Sequence, residues 1–210
     1  MTCYIAGAGS WYGKDFSPQP DDLVIAADGG YLHLKERGIR VDLLIGDFDS
    51  MEKPVFDNVQ TFRREKDDTD LFLAVKEGYT RGYRRFVLYG ATGGDRFDHT
   101  LGNLQVLAWI AKRGASALLH DRGGTVGTLN GKTITFSADA KGYLSVITVD
   151  EKAEGVTLKG LKYPLDNGVL TNDYPLGISN EFTGSKSEVS VSSGTLLLIT
   201  AEENWEGAVW

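Results

Sequence analysis

The sequence predicts two architectures in series: an α/β domain with a mostly parallel, Rossmann-like sheet over residues 1–122, then an all-β sandwich or barrel over 123–210. In the first part, short apolar runs alternate with helical patterns, which is how βαβ units around a parallel sheet read in sequence. Those runs are apolar at nearly every position, as expected of strands covered on both faces. Past Asp121-Arg122-Gly123-Gly124 the runs become short, rich in Thr, Val and Ser, and divided by turn residues.

Taken in order, Thr2–Gly7, Leu23–Ala27, Leu43–Ile45, Val59–Phe62, Arg85–Tyr89 and Ala115–His120 read as strands. Helices are predicted between them at Gly29–Arg37, Thr69–Arg81 and Asp98–Arg113. Thr69 is placed to cap the second, with Leu71, Phe72, Val75 and Tyr79 following at helical spacing. Leu101, Leu104, Leu107, Ala108 and Ala111 give the third an apolar face, and Gly114 suits its C′ position. Beyond residue 122, Thr125–Leu129 and Lys132–Phe136 flank Asn130-Gly131, a type I′ hairpin signal. Tyr143–Val149, Gly155–Leu158, Val189–Val191 and Thr195–Ala201 continue the β pattern, and no helix is expected there.

Composition narrows the function. A net charge of −7 leaves no basic stripe to neutralise a nucleic-acid backbone. No apolar run approaches a membrane span, and the first residues lack the basic segment of a signal peptide. Cys3 is the single cysteine, so no intrachain disulfide can form; a core position on the first strand and a cytoplasmic setting are expected. Three histidines (His33, His99, His120) with one cysteine argue against a zinc site.

The chemistry concentrates in loops that follow the predicted strands. They are Ala27-Asp28-Gly29-Gly30, Gly46-Asp47-Phe48-Asp49-Ser50, Asp67-Asp68-Thr69-Asp70, and Gly90-Ala91-Thr92-Gly93-Gly94-Asp95-Arg96-Phe97-Asp98. In open α/β sheets ligands bind outside the carboxyl ends of the strands. Carboxylates gathered there would hold a hard cation, Mg²⁺ or Mn²⁺, and the phosphates it carries. Asp47 and Asp49 flank Phe48, so on an extended stretch both point to one side. Taken alone, that pentapeptide also fits a strand-ending turn, and Asp67–Asp70 also fits a helix cap. Lys66, with Arg63 and Arg64 upstream, is placed to offset that charge or reach a phosphate. The glycines around Thr92 allow close backbone approach to phosphate, and Arg96 can fork two hydrogen bonds onto its oxygens. Asp98 fits a cap, a metal ligand or a contact to a substrate hydroxyl, and His99 follows it. Neither a Walker A sequence nor a G-x-G-x-x-G fingerprint is present in this loop.

Taken together, these four segments resemble thiamine pyrophosphokinases in order and spacing. The resemblance continues through Leu158-Lys159-Gly160-Leu161-Lys162-Tyr163-Pro164-Leu165 and Gly177-Ile178-Ser179-Asn180-Glu181-Phe182. It implies an α/β catalytic domain, a β-sandwich that binds thiamine, and a homodimer with thiamine between subunits. The implied reaction transfers the pyrophosphoryl group of ATP to the thiamine hydroxyl, giving thiamine diphosphate and AMP. Carried onto matching positions, Asp47, Asp49 and Asp70 would hold Mg²⁺. Arg96 and Asp98 would contact the phosphates and the reacting centre, with Asp28, Lys66, Thr92, Gly93, Gly94 and His99 around the nucleotide. Ser179 and Asn180, with Asp98, would bind thiamine. Lys66 stands where a polar amide is frequent, Tyr163 where a Trp is frequent, and the tail with Trp205 and Trp210 has no firm counterpart. Other readings of the acidic loops are a pyrophosphokinase for another alcohol such as a pterin, a D-x-D nucleotide-sugar transferase, and a non-enzymatic nucleotide sensor.

Overall fold

The apolar runs of the first part pair side by side in one direction. In the computed structural model, which describes residues 1–13, 16–46 and 67–210 and the backbone of 59–61, they form β1 (Cys3–Ala6), β2 (Leu23–Ala27), β3 (Leu43–Gly46), β4 (Val59–Thr61) and β5 (Arg85–Tyr89). Their order is β5-β1-β2-β3-β4, and every pairing is parallel. Helices α1 (Gly30–Glu36), α2 (Asp70–Thr80) and α3 (Phe97–Ala111) lie between strands in sequence, and β6 (Ser116–Asp121) follows α3. The chain thus winds outward from β1 to β4, and α2 returns it to β5 on the other side of β1. That reversal makes the β1/β5 boundary the point where loops diverge and a crevice opens.

Two compact units divide the chain: Met1–Val106 with Leu119–Arg122, and Leu107–Leu118 with Gly123–Trp210. In the first, β2 and β3 are buried at every position, as their unbroken apolar sequences require. α2 turns Leu71, Ala74, Val75 and Gly78 inward. Gly78 passes so near Cys3 that a methyl group there would sit 2.7 Å from Sγ. Cys3 is the core residue its strand predicts, and burial pushes its thiol far above the usual range.

The second unit holds two antiparallel sheets. One runs β12 (Asn180–Glu181), β9 (Tyr143–Thr148), β14 (Thr195–Thr200), β7 (Gly124–Asn130), and the other runs β11 (Leu165–Thr171), β10 (Lys152–Lys159), β13 (Ser187–Ser190), β8 (Thr133–Phe136). Alternate residues of β9 are buried, the period of two that a one-sided strand demands. Leu144, Val146, Leu196 and Leu198 from the first sheet share one core with Phe136, Val156, Leu158 and Val189 from the second.

The Asn130-Gly131 hairpin expectation is corrected. β7 pairs with β14 and β8 with β13, so the Asn-Gly step carries the chain from one sheet to the other. Asn130 Nδ2 donates to Gly194 O at 3.1 Å and Thr195 Oγ1 at 2.9 Å, which ties the end of β7 to β14. The strand at 165–171 and the short one at 180–181 are additions to the predicted set. A single 3₁₀ turn, Glu202–Trp205, also appears where no helix was expected.

That turn drops Trp205 into the second unit's core, where Nε1 donates to Thr125 O at 3.2 Å and the ring meets Phe136 edge-on. Gly127 gives the ring its room, because a Cβ there would lie 2.1 Å from Trp205 Cη2. A rigid indole held by a hydrogen bond cannot yield cheaply. Gly127→Ala is therefore expected to destabilise the protein by about 1–3 kcal/mol, read as a lowered urea midpoint. An unchanged midpoint would show that Trp205 is not seated as described.

A cavity at the carboxyl ends of the parallel strands

β1 and β5 remain hydrogen-bonded after both strands have ended. Gly7 N–H donates to Tyr89 O, Gly9 N–H to Gly90 O and Ser10 N–H to Thr92 O, each at 2.8 Å. Side chains cannot be accommodated in this seam. A Cβ on Gly7 would stand 2.6 Å from Gly90 O, and one on Gly90, whose φ is +59°, would stand 2.2 Å from Gly7 O. The result is a floor of bare backbone beneath a cavity of about 290 Å³. Around it stand Asp28 after β2, Thr69 and Asp70 at the start of α2, Gly93 to Arg96 after β5, and His99, Thr100 and Asn103 on α3.

Asp28 holds a left-handed backbone with φ of +48°, which few residues other than glycine adopt. Its N–H donates to Ile45 O at 2.8 Å, and its Cα lies 3.2 Å from where a Cβ of Gly46 would be. The ends of β2 and β3 are thereby locked together. Asp47 and Asp49 follow Gly46 in sequence; they and Lys66 lie outside the described residues.

Within the acidic run before α2 the work is divided. Thr69 is the cap, its Oγ1 accepting from Phe72 N–H at 3.3 Å, and Asp68 pairs with Lys76 at 2.7 Å. Asp70, the first residue of α2, borders the cavity.

Arg96 and Asp98 form a two-pronged ion pair, Nε to Oδ1 at 2.9 Å and Nη2 to Oδ2 at 2.6 Å. The guanidinium holds the Asp98 carboxyl down at about 2, with the His99 N–H contributing, and Asp98 in turn raises Arg96. Arg96 borders the cavity, whereas Asp98 does not. Thr92 also turns away, being buried with its Oγ1 donating to Asp121 Oδ1 at 2.5 Å. Gly93 and Gly94, with φ of +72° and +74°, present backbone to the cavity.

Among the predicted site residues, the cavity therefore brings together Asp28, Asp70, Gly93, Gly94, Arg96 and His99. Sequence reading missed Gly7, Ala8 and Gly9, although Gly-Ala-Gly directly after the first apolar run repeats the pattern of the other loops. It also missed Asn103, whose signal was its spacing: Arg96, His99, Thr100 and Asn103 make one helical stripe. Among the described residues no three His, Cys, Asp or Glu side chains cluster closely enough to hold a metal ion. The donors present, Asp28 and Asp70, are carboxylate oxygens, the set Mg²⁺ takes when substrate phosphates and water complete its shell.

Ser179 and Asn180 lie in the second unit. Ser179 is left-handed at φ +57°, and its N–H donates to Ser145 Oγ at 3.0 Å. Asn180 is buried and spends its amide on backbone: Nδ2 donates to Tyr163 O at 2.7 Å, and Oδ1 accepts from Tyr163 N–H at 3.0 Å and Glu181 N–H at 2.9 Å. The segments 158–165 and 177–182 are thus one structural piece, with Asn180 as its clasp.

Known proteins place these features in a family. Residues 19–119 match the thiamin pyrophosphokinase catalytic domain, and residues 132–197 match the thiamin pyrophosphokinase vitamin B1 binding domain. The thiamine pyrophosphokinase of Bacillus subtilis is 32% identical over 189 residues, covering 86% of this chain and 88% of the relative. A crystal structure of the Bacillus subtilis enzyme superposes with a TM-score of 0.84 at 29% identity, over 96% of this chain and 99% of that one. The Geobacillus thermodenitrificans structure gives a TM-score of 0.81 at 32% identity, over 96% and 98%. With both halves matched and relatives alike over nearly their whole length, the chain belongs to the thiamin pyrophosphokinase family.

Proposed function

We propose that residues 1–122 bind Mg·ATP in the β1/β5 cavity and transfer its pyrophosphoryl group to the hydroxyl of thiamine, giving thiamine diphosphate and AMP. The observation that carries this reading is the convergence of Asp28, Asp70, Gly93, Gly94 and Arg96 on one backbone-floored cavity within the catalytic segment. The sheet would be the Rossmann-like element of the reading, and residues 123–210 a sandwich that selects thiamine. Ser179 is the thiamine contact, on a loop whose shape Asn180 maintains. Support comes from the vitamin B1 binding match at 132–197 and from the strained backbone of Ser179. A homodimer in the cytoplasm is in keeping with the exposed Tyr163, Tyr174, Leu176 and Ile178 and with the single, buried cysteine.

Phosphoryl-type transfer asks a protein for positioning and charge neutralisation more than for covalent chemistry. Asp47, Asp49 and Asp70 would hold Mg²⁺, with Asp28 beside them. The chemistry such an ion supplies is neutralisation of phosphate charge and polarisation of the phosphorus under attack. Arg96 and the N–H groups of Gly93 and Gly94 take the charge that grows on the transferred group. Lys66, Thr92 and His99 complete the nucleotide's surroundings, Thr92 indirectly, by fixing the loop through Asp121. The hydroxyl oxygen of thiamine bonds to the β-phosphorus as that atom's bond to the AMP oxygen breaks. Of the two carboxylates that could orient the hydroxyl proton, Asp70 borders the cavity while Asp98 is held by Arg96.

One assay series separates the readings: ATP and Mg²⁺ with thiamine or with a hydroxymethylpterin, following AMP, and a nucleotide-sugar and Mg²⁺ with a sugar acceptor, following the released nucleoside diphosphate. AMP formed with thiamine alone is the expected result; AMP formed with the pterin alone, or nucleotide-sugar turnover, would replace it. Asp47→Asn, Asp49→Asn and Asp70→Asn should each abolish turnover while leaving the unfolding midpoint within a few degrees of wild type. Near-normal AMP release at saturating Mg²⁺ would sink the metal assignment. Arg96→Ala should lower kcat/KM for ATP at least tenfold, since a charge-assisted phosphate contact contributes about 1.5–3 kcal/mol. An unchanged value would remove Arg96 from the site.

A further inference from the structure

Asn103 stands on α3 seven residues beyond Arg96. It is only 7% exposed, yet it lines the cavity. Its Nδ2 donates to Ala91 O at 2.6 Å. A carbonyl accepts only from a donor, so this bond fixes which end of the amide is which. Oδ1 is left facing away from Ala91, with no hydrogen-bond partner among the described residues. Nor is it sealed off: Ser187 Oγ is the fully enclosed side-chain polar atom without a partner among those residues. Water satisfies such an acceptor only until it is displaced, so a ligand that fills the cavity keeps Oδ1 satisfied by supplying a donor.

We propose that Asn103 Oδ1 accepts a hydrogen bond from the nucleoside half of bound ATP, from a ribose hydroxyl or from the exocyclic amine of the base. This rests on the reading of the cavity as the ATP site. The phosphates cannot be the partner, because ionised phosphate oxygens only accept. Position points the same way. Seven residues at a rise of 1.5 Å set Asn103 about 10 Å along the helix from Arg96. With Arg96 on the phosphates, the other end of that span falls at the nucleoside. Thiamine's hydroxyl must lie at the β-phosphorus, back at the Arg96 end. Asn103 is thus a specificity-determining residue: a site built to accept from a particular N–H or O–H discriminates against the analogue that lacks it.

The test pairs a change in the protein with a change in the substrate. With thiamine and Mg²⁺ present, kcat/KM is measured for ATP, 2′-deoxy-ATP, 3′-deoxy-ATP and purine riboside triphosphate, in the wild-type enzyme and in Asn103→Ala. Wild type should lose about three- to tenfold with one analogue, the range a single neutral hydrogen bond gives. Asn103→Ala should lose a similar factor on ATP and then show no further loss with that analogue, the non-additivity of a broken contact. The analogue affected identifies the donor. Equal penalties in both proteins for all three analogues would overturn the proposal and reduce Asn103 to a support for Ala91. That outcome, with ATP still turned over, leaves the ATP reading intact; absence of ATP turnover by wild type sinks both. Each comparison is a ratio within one protein, so it does not depend on how much of the variant is folded. Asn103→Ser provides the same ratio should the alanine variant not fold.

Discussion

Strands of a parallel sheet ordinarily part company where their hydrogen bonds stop, and the crevice between the diverging loops becomes the ligand site. Here β1 and β5 stay joined for one loop longer, because Gly7 and Gly90 let two backbones approach to a distance no side chain permits. The rest of the site depends on that seam. It gives the cavity a floor without bulky side chains, so a ligand can approach the backbone closely. It also fixes the rim: Gly93 and Gly94 leave the seam on one side, and β2 delivers Asp28 on the other. Any larger residue at either glycine would both fill the cavity and prise the strands apart.

The seam is held from behind. Trp11 stacks on Tyr89 with centroids 5.0 Å apart, and Tyr89 stacks on His120 at 4.5 Å. His33 Nε2 is 2.8 Å from Gly9 O, its N–H donating to that carbonyl, and the Arg37 guanidinium lies 4.5 Å from the centre of Trp11. Thr92 anchors the far loop to Asp121. Aromatic stacking and short hydrogen bonds are a stiff support, and stiffness is what transition-state stabilisation by fixed donors needs, since donors that must reorganise lose most of their advantage. Two of the three histidines serve in this way: His33 and His120 buttress the loops, while His99, the one expected near the nucleotide, lines the cavity.

The elements were legible wherever the chain carried one unambiguous period. β2, β3 and β5 were plain from uninterrupted apolar runs, α2 from the Thr69 cap and the spacing of Leu71 and Val75, and the change to antiparallel pairing from short Thr-, Val- and Ser-rich runs divided by turn residues. What failed was pairing. Asn130-Gly131 is a strong local hairpin signal, but two strands joined by a tight turn need not be partners when each finds a longer one elsewhere. β7 matches six residues of β14, and that register outweighs the local preference. In the cavity, loops rich in Asp were visible because the same acidic pattern recurs after several strands, which single turns or caps do not explain together. Gly7-Ala8-Gly9 was overlooked because a backbone floor carries no chemical group to notice. Asn180 illustrates the converse. The family resemblance implies a thiamine contact there, and only the geometry reveals that its amide makes three bonds to backbone.

Arg96 and Asp98 present a different balance from the stiff floor. Their side chains are 67% and 63% exposed, so solvent screens the pair and limits its net contribution to stability. The pairing nonetheless has a consequence for binding. Asp98 is charged near neutral pH as any aspartate is, and the Arg96 guanidinium favours that charge further, holding the carboxyl down at about 2. An incoming triphosphate therefore competes with a permanent carboxylate for the guanidinium. It competes from strength, since it carries several charges, whereas breaking the solvated Arg96–Asp98 pair forfeits little. Exchange of one partner for the other would release the Asp98 carboxylate only when phosphate is present. A carboxylate off the cavity wall in the free protein can in this way still belong to the working site: its position depends on the same guanidinium that is proposed to bind the nucleotide phosphates.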